Sequence, residues 1–331
     1  MDNKIVLDEE DSDPRYGWAP DARPVSVLVD YGLLNLDKPR GPTSHEVVAW
    51  VRKLIGIEKA GHSGTLDPPV SGVLPIGLGN ATKALSTLLS YPKEYEGVMR
   101  LHSSVQKEKV EDVISEFTGE IFQKPPQRSS VKREVRTRTI HELEIQEAEG
   151  NLYLLRCLCE SGTYIRKLMY DMGEVLGVGG TMVELRRTRV GPLTEKKDLV
   201  TLHRLSDAVH GLKAGDETGI RSAVRPVEET LAAIGKIWMR DSAVDAVCHG
   251  ARLAVPGVLA ATAGLANSQE IAMMSGKGEL VALGTSMMTG DEMGSGKKGL
   301  AASTDRVVMK PGTYPKLWKT RHTKQKAEVA P

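Results

Sequence analysis

Asp67 is the residue of this chain whose surroundings most suggest chemistry. It lies in residues 61–69, which read Gly-His-Ser-Gly-Thr-Leu-Asp-Pro-Pro and lead into an apolar run. Gly61 and Gly64 lack side chains and can adopt backbone angles that other residues avoid, while Pro68 disfavours a helical conformation for Asp67. The pattern predicts a stiff loop that presents one carboxylate to a large ligand. An ordinary Asp-Pro turn also fits, and the loop by itself favours that simpler interpretation.

Four further segments favour the functional interpretation of Asp67, because they occur in the order in which a known family has its motifs. With residues 61–83, they resemble the motifs of the TruB-type pseudouridine synthases, a family that includes bacterial tRNA pseudouridine-55 synthase and the dyskerin-type enzymes of H/ACA guide-RNA particles. The segments are residues 34–44 (Leu-Asn-Leu-Asp-Lys-Pro-Arg-Gly-Pro-Thr-Ser), 93–97 (Lys-Glu-Tyr-Glu-Gly), 161–166 (Ser-Gly-Thr-Tyr-Ile-Arg) and 185–189 (Leu-Arg-Arg-Thr-Arg).

The resemblance implies a reaction and assigns its carboxylate to Asp67. Pseudouridine formation breaks the glycosidic bond of a uridine, turns the base and rejoins it through carbon, so the reaction needs neither a redox cofactor nor a metal. Whether Asp67 attacks the sugar, attacks the base or removes a sugar proton stays open, and each route uses the anionic form. Lys38 of the first motif is expected to hold the Asp67 loop in place.

The resemblance also implies a substrate-binding pocket of five residues. Arg166 would pair with the carboxylate through its planar guanidinium, and Tyr95 would stack on a uridine that has left its helix. Tyr164 matches a second pocket position, Leu185 an apolar wall, and His62 a contact to the displaced nucleotides. The plainer alternatives are a surface arginine at Arg166, a core tyrosine at Tyr95 and a hydrogen-bonded support at His62.

The composition is that of an ordinary folded domain pair. The 331 residues are 40% hydrophobic and 26% charged, with a net charge of +1, and no run of apolar residues approaches membrane-spanning length. Three cysteines fit a reducing cytoplasm. Cys157 and Cys159 are two apart in a strand pattern and are interpreted as buried thiols rather than half of a metal site.

Charge is distributed unevenly along the chain. Residues 8–13 are strongly acidic, whereas two basic segments could form a track for RNA phosphates; at the end of the chain a solvated tail is an equally good interpretation. The basic side chains are Lys124, Arg128, Lys132, Arg133, Arg136 and Arg138 in the first segment, and Lys310, Lys316, Lys319, Arg321, Lys324 and Lys326 in the second.

Periodicity and capping signals predict the α+β class. With the resemblance, the prediction is a pseudouridine synthase catalytic domain with a central mixed, mostly antiparallel sheet, plus a small C-terminal β-barrel. Strands are predicted near residues 32–36, 72–78, 95–101, 135–145, 152–159 and 183–190. Helices are predicted at 43–55, 82–89, 110–117, after a Ser161 N-cap, and at 199–209.

The predicted domains are residues 1–30, an extension packed on the second domain, 31–225, the catalytic domain, 226–315, a β-rich domain, and 316–331, a basic tail. Residues 211–219 are predicted to be a linker. The third region resembles a PUA domain, an RNA-binding β-barrel, with a helix at 241–248 and strands at 270–274, 279–283 and 306–309.

The function predicted from the resemblance is isomerisation of uridine to pseudouridine in rRNA, with tRNA position 55 as a further candidate target. The N-terminal extension and the PUA-like C-terminal segment, residues 306–315, favour the archaeal dyskerin-type branch. This branch implies an H/ACA guide RNA and small accessory proteins as partners, with no membrane and no cofactor. Two alternatives stay open: a standalone tRNA pseudouridine-55 synthase, and a catalytically silent RNA-binding scaffold.

Overall fold

A computed structural model describes residues 4–124, 134–296 and 298–317. The described chain forms two compact units: one contains residues 29–225, and the other joins the N-terminal residues to residues 226–317. Arg128, Lys132 and Arg133 of the first basic segment lie outside the described residues, as do residues 318–331 of the predicted tail.

The strands are β1 (Lys4–Val6), β2 (Gly32–Lys38), β3 (Ala60–His62), β4 (Ser71–Leu78), β5 (Lys93–Leu101), β6 (Gly119–Gln123), β7 (Arg136–Glu149), β8 (Leu152–Cys159), β9 (Gly180–Val190), β10 (Leu193–Thr194), β11 (Arg225–Pro226), β12 (Gly235–Met239), β13 (Leu253–Ala254), β14 (Val258–Thr262), β15 (Glu270–Ser275), β16 (Leu280–Ser286) and β17 (Leu300–Val307). The helices are α1 (Val25–Asp30), α2 (Ser44–Ile55), α3 (Lys107–Glu116), α4 (Ile165–Val175), α5 (Leu202–Lys213), α6 (Thr218–Ala223), α7 (Asp241–Cys248) and α8 (Gly290–Gly294). Short 3-10 helices lie at Pro20–Ala22, Gly79–Lys83, Leu85–Leu88, Val227–Leu231 and Val255–Gly257.

The unit of residues 29–225 is built on one mixed sheet in the order β2-β4-β9-β5-β8-β7-β6. Neighbouring strands are antiparallel except β4 and β9, which run parallel where Ser71 lies opposite Arg186 and Gly72 opposite Arg187. This arrangement confirms the predicted mostly antiparallel sheet. It also places the strand that leaves the Asp67 loop directly beside β9.

Helix α2 shows how local sequence fixes an element of this unit. The Thr43 hydroxyl accepts from the Glu46 N–H, and the Glu46 carboxylate accepts from the Thr43 N–H, so both ends of a capping box are present. The helix ends at Gly56, which has a φ of +79°. Val47 and Val51 are fully buried, and each such side chain contributes about 1.5–3 kcal/mol of hydrophobic stabilisation.

Strand β8 follows the predicted period of two. Its alternate residues face a core formed with α3 and α4. Cys157 and Cys159 belong to that inward set, and both are buried free thiols, as predicted.

The second unit contains a sheet in the order β1-β14-β12-β15-β16-β17-β13. The N-terminal residues are part of it, because β1 pairs antiparallel with β14. Arg23, which is 2% exposed, is 2.7 Å from the Glu228 carboxylate. The buried Glu279 carboxylate accepts from the Tyr314 hydroxyl and from the Trp18 N–H.

Several predicted elements were wrong in detail. Residues 82–89 form 3-10 turns rather than an α-helix, and the predicted 211–219 linker contains the end of α5 and the start of α6. Strand β17 begins at Leu300, six residues before the predicted start at residue 306. Ser161 is not the N-cap of α4, because the helix begins at Ile165 and Tyr164 is its N-cap residue. The Ser161 hydroxyl instead accepts from the Lys93 ammonium at 3.0 Å.

Candidate active site

The Lys38 side chain fixes the Asp67 loop through hydrogen bonds to backbone carbonyls. Lys38 lies at the end of β2 and is fully buried. Its ammonium donates to the carbonyls of Pro39, Pro68 and Val70, so it joins two sides of the turn that carries Asp67. Burial lowers the pKa of Lys38, and the negative charge of Asp67 opposes that shift.

Ser44 and Arg187 hold the loop from two other directions. The Ser44 hydroxyl, on the first residue of α2, accepts from the Leu66 N–H at 3.0 Å and contacts the Leu66 carbonyl. Arg187 is 2% exposed and donates to the carbonyls of Gly64 at 2.9 Å and Val73 at 2.8 Å. Backbone carbonyls therefore accept from both buried cations that support the loop, Lys38 and Arg187.

Two glycines make the close approach of Arg187 possible. Gly64 has a φ of +78°, and a Cβ there would lie 3.2 Å from an Arg187 guanidinium nitrogen. Gly72 has a φ of +101°, and a Cβ there would lie 2.2 Å from the Arg187 carbonyl oxygen. Only glycine fits at position 72 without a backbone shift. Gly61, by contrast, lies in β3 and takes no unusual backbone angle.

Asp67 itself points to solvent and meets Arg166. A guanidinium nitrogen of Arg166 lies 2.5 Å from an Asp67 carboxylate oxygen, and both side chains are more than half exposed. Arg166 is the second residue of α4, where the helix dipole disfavours a cation. The ion pair with Asp67 offsets that unfavourable position, and it joins residues that are 99 positions apart.

Tyr164 immediately precedes α4 as its N-cap residue, with an extended backbone and no side-chain cap. Gln123, at the end of β6, contacts this backbone through its side-chain amide. Tyr164 and Arg166 are thus presented by the same helix start, as their common segment predicts.

Tyr95 and Leu185 come together across the β5–β9 pair. Tyr95 lies opposite Arg187, and Gly97 lies opposite Leu185. A Cβ on Gly97 would lie 2.8 Å from both Leu185 and Met169, so this glycine allows α4 to pack against the sheet. Tyr95 and Leu185 line an apolar gap that is too narrow for water, and burial raises the pKa of Tyr95, with Arg187 opposing.

His62 ends strand β3 and contacts His45 of α2. The two rings are 5.1 Å apart in an edge-to-face arrangement, and the buried His62 Nδ1 has no hydrogen-bond partner among the described residues. Burial lowers the pKa of His62, and the charges of His45 and Arg187 act in the same direction. The neutral imidazole is therefore favoured, and its Nδ1 keeps an unused hydrogen-bonding position.

Sequence reasoning missed the roles of Ser44, Gln123 and Arg187. The signal for Arg187 was present, since adjacent arginines in a strand point to opposite faces and one of them must be inward. Arg186 is the outward one, and it pairs with Asp37 at 2.9 Å and Glu195 at 2.7 Å. For Gln123 no pattern in the sequence gives its partner.

The described part of the chain contains no group of three or more His, Cys, Asp or Glu side chains that could hold a metal ion. None of its helices has the length and apolar character needed to cross a membrane.

Four family models match consecutive parts of the chain. They are the DKCLD (NUC011) domain at residues 1–48, the TruB family pseudouridylate synthase N-terminal domain at residues 52–165, the tRNA pseudouridylate synthase B C-terminal domain at residues 166–232, and the PUA domain at residues 235–308.

Curated relatives match over nearly the whole length. A probable tRNA pseudouridine synthase B of Methanopyrus kandleri is 51% identical over 315 residues, which cover 95% of this chain and 93% of the relative. The chain belongs to the TruB family. A second TruB-family relative, the probable tRNA pseudouridine synthase B of Pyrococcus abyssi, is 50% identical and covered to 95%. This TruB-family chain is therefore a pseudouridine synthase, an isomerase, as predicted.

Solved structures give the same assignment of fold. The chain is similar to a chain of the archaeal box H/ACA sRNP Nop10–Cbf5 complex, with a TM-score of 0.87, 47% identity, and coverage of 96% of this chain and 99% of that one. It is similar to a chain of an H/ACA RNP bound to a substrate RNA containing 2′-deoxyuridine, with a TM-score of 0.88, 46% identity and coverage of 96% and 97%. The predicted TruB catalytic fold and PUA domain are confirmed.

Proposed function

We propose that Asp67 supplies the ionised carboxylate of pseudouridine formation and that Arg166 is its counter-ion in the free enzyme. The 2.5 Å contact between the two side chains carries this proposal, because the planar guanidinium is well suited to pair with an accessible carboxylate. Exposed ion pairs contribute only about 0–1 kcal/mol. An incoming nucleotide can therefore rearrange the pair at low cost.

The remaining pocket residues have roles consistent with an extruded uridine. Removing a base from its stack costs a few kcal/mol, and stacking on an aromatic side chain returns about 1–3 kcal/mol. Tyr95 and Tyr164 supply that surface, Leu185 the apolar wall, and His62 a contact to displaced nucleotides. These roles are proposals that rest on the family motifs in which the four residues lie.

The proposed setting is an H/ACA guide-RNA particle, in which this chain acts as the catalytic subunit on rRNA, with tRNA uridine-55 as a further candidate target. Two observations favour it. The N-terminal residues match the DKCLD model, and similar chains of known structure come from complexes that include Nop10, Gar1 and a substrate RNA. Guide RNA and small accessory proteins are therefore the proposed partners.

A standalone tRNA pseudouridine-55 synthase is the second candidate, because the curated relatives carry the name probable tRNA pseudouridine synthase B. A silent RNA scaffold is disfavoured, since Asp67 and Arg166 meet in space with the loop supports intact.

One experiment separates these candidates. Pseudouridine formation is measured on a transcribed tRNA with the enzyme alone, and then on a matched target with an H/ACA guide RNA and accessory proteins. Product only in the second assay supports the guided enzyme. Product at tRNA position 55 from the enzyme alone supports the second candidate, and no product in either assay supports the scaffold.

The domain limits of 1–30, 31–225, 226–315 and 316–331 are also proposals, supported by the compact units and by the matched regions. We further place the protein in the cytoplasm, a proposal consistent with its three free thiols.

A further inference from the structure

Gln123 is a buried polar side chain near the site, and the reaction proposed above gives it no role. It is 3% exposed at the end of β6. Its amide nitrogen donates to the Tyr164 carbonyl at 3.2 Å, and its amide oxygen accepts from the Tyr164 N–H at 2.9 Å. The side chain therefore contacts both polar groups of one peptide backbone, as a neighbouring β-strand would.

The position of these bonds matters because α4 begins directly after Tyr164. The Tyr164 carbonyl accepts the first intrahelical bond, from the Leu168 N–H at 3.0 Å, and the helix has no side-chain N-cap. Ser161 does not take that role, because the helix begins only at Ile165 and the Ser161 hydroxyl contacts Lys93. A buried amide that satisfies the residue preceding the helix fixes where the first turn starts.

The rest of the β6–β7 hairpin supports the same segment. Arg138 lies opposite Ile121, two residues before Gln123 on the same face of the hairpin. Its guanidinium lies 3.2 Å from where a Cβ of Gly162 would be, and it contacts Glu160 at 3.4 Å. Two residues of one hairpin face therefore bound the lead-in to α4.

We propose that Gln123 is a positioning residue for the reaction: it sets the start of α4 so that Tyr164 and Arg166 face Asp67 correctly. The inference rests on the roles proposed above for Tyr164 and Arg166. Arg166 lies two residues beyond the bonded backbone, so a displacement of the helix start moves the guanidinium that contacts Asp67. Displacements of about 1 Å can reduce a rate by about 10²-fold.

The test uses Gln123→Met, which keeps the length of the side chain and removes both hydrogen bonds. The matched control is Gln146→Met, at an exposed position of β7. We expect the single-turnover rate of Gln123→Met to fall about 10-fold to 100-fold, while its RNA affinity changes by less than about threefold. The control should match the wild-type enzyme in both.

A double-mutant cycle distinguishes positioning from a general loss of stability. In an Arg166→Lys background, Gln123→Met should reduce the rate by a clearly smaller factor than in the wild-type background, because the Arg166 guanidinium is already gone and only the effect on Tyr164 remains. Thermal unfolding is recorded for each variant. If Gln123→Met is unfolded, Gln123→Asn, whose amide is one methylene shorter, is used in its place.

Two results would overturn the inference: a folded Gln123 variant with a rate near that of the wild type, or an equal loss of rate in both backgrounds. The proposed function fails separately. If Asp67→Asn and Arg166→Lys keep the wild-type rate, the site assignment is wrong, whereas their loss of rate with an active Gln123→Met removes only the positioning role.

Discussion

Charged side chains have different partners on the exposed side of the site and in the buried layer beneath the Asp67 loop. Asp67 and Arg166 are more than half exposed and contact each other through their side chains. Beneath them, Lys38 is fully buried and Arg187 is 2% exposed, and both donate to backbone carbonyls. The groups proposed for chemistry are therefore accessible to RNA, while the cations that shape the loop are not.

This difference separates activity from stability. An exposed ion pair adds about 0–1 kcal/mol, whereas leaving a buried donor or acceptor without its partner costs about 1–3 kcal/mol or more. Substitutions on the exposed side should reduce the rate without loss of stability. Substitutions in the buried layer should lower the free energy of unfolding.

The largest expected effect is that of Asp67→Asn. Removing the anion should lower the single-turnover rate by roughly 10³-fold or more, as for other residues that act in the chemical step. The unfolding free energy should change by less than about 0.5 kcal/mol, because the side chain is exposed. Quenched-flow pseudouridine assays and urea denaturation measure the two quantities, with exposed Asp112→Asn as control. Full activity in Asp67→Asn would contradict the proposed role.

Gly72→Ala tests the buried layer beneath the Asp67 loop, where Gly72 lies against Arg187. The new methyl group would overlap the Arg187 carbonyl at 2.2 Å and force a side chain onto a φ of +101°. We expect a loss of about 2–4 kcal/mol in unfolding free energy, measured by urea denaturation. Gly41→Ala is the matched control, since Gly41 has a φ of +111° with open space around it, and it should lose only about 1–2 kcal/mol. Equal losses would show that the contact with Arg187 is unimportant.

Arg166→Lys keeps the charge on the exposed side but removes the planar guanidinium. The rate should fall on the order of tenfold, equal to about 1.4 kcal/mol of transition-state free energy. The unfolding free energy should change by less than about 1 kcal/mol. Arg100→Lys, at an exposed position of β5, is the control for the same assays. A larger loss of stability than of activity would place Arg166 with the structural residues.

His62→Gln should give the smallest effect, on the pH dependence of stability. Burial lowers the pKa of folded His62 below its usual value, so the unfolded chain binds the proton first as the pH falls. The stabilisation is complete above the unfolded pKa of about 6.5 and is lost as the pH falls toward the folded pKa. His62→Gln should remove this loss of stability, which sets in as the pH falls below about 6.5. Urea denaturation measures it, and exposed His141→Gln should leave it unchanged.

Local sequence predicted those elements whose signals are self-contained. The capping box at Thr43 and Glu46 and the alternation of β8 are complete within a few residues, and both elements were predicted correctly. The start of α4 was predicted wrongly because Ser161 has the right chemistry for an N-cap, but the helix begins only at Ile165 and the Ser161 hydroxyl accepts from a lysine 68 positions away. Competition from a distant partner leaves no trace in the local pattern.

The residues around the site also divide into those that local sequence predicted and those that depend on distant partners. Lys38 was expected to support the Asp67 loop, and its three contacts to Pro39, Pro68 and Val70 agree with that expectation. The role of Gln123 was not predicted, because an amide that bonds to a backbone 41 positions away requires the β6–β7 hairpin to be placed over the start of α4.

The sequence by itself determined the family, the reaction class, the acid on its Gly-Pro loop and the need for glycine near it, since these depend on residue type and on spacing within short segments. Tertiary structure decided which cations face inward, which residue precedes α4 and which backbone carbonyls hold the Asp67 loop. The physical reason is that buried polar groups must find partners. Those partners come from strands and helices that only folding brings together.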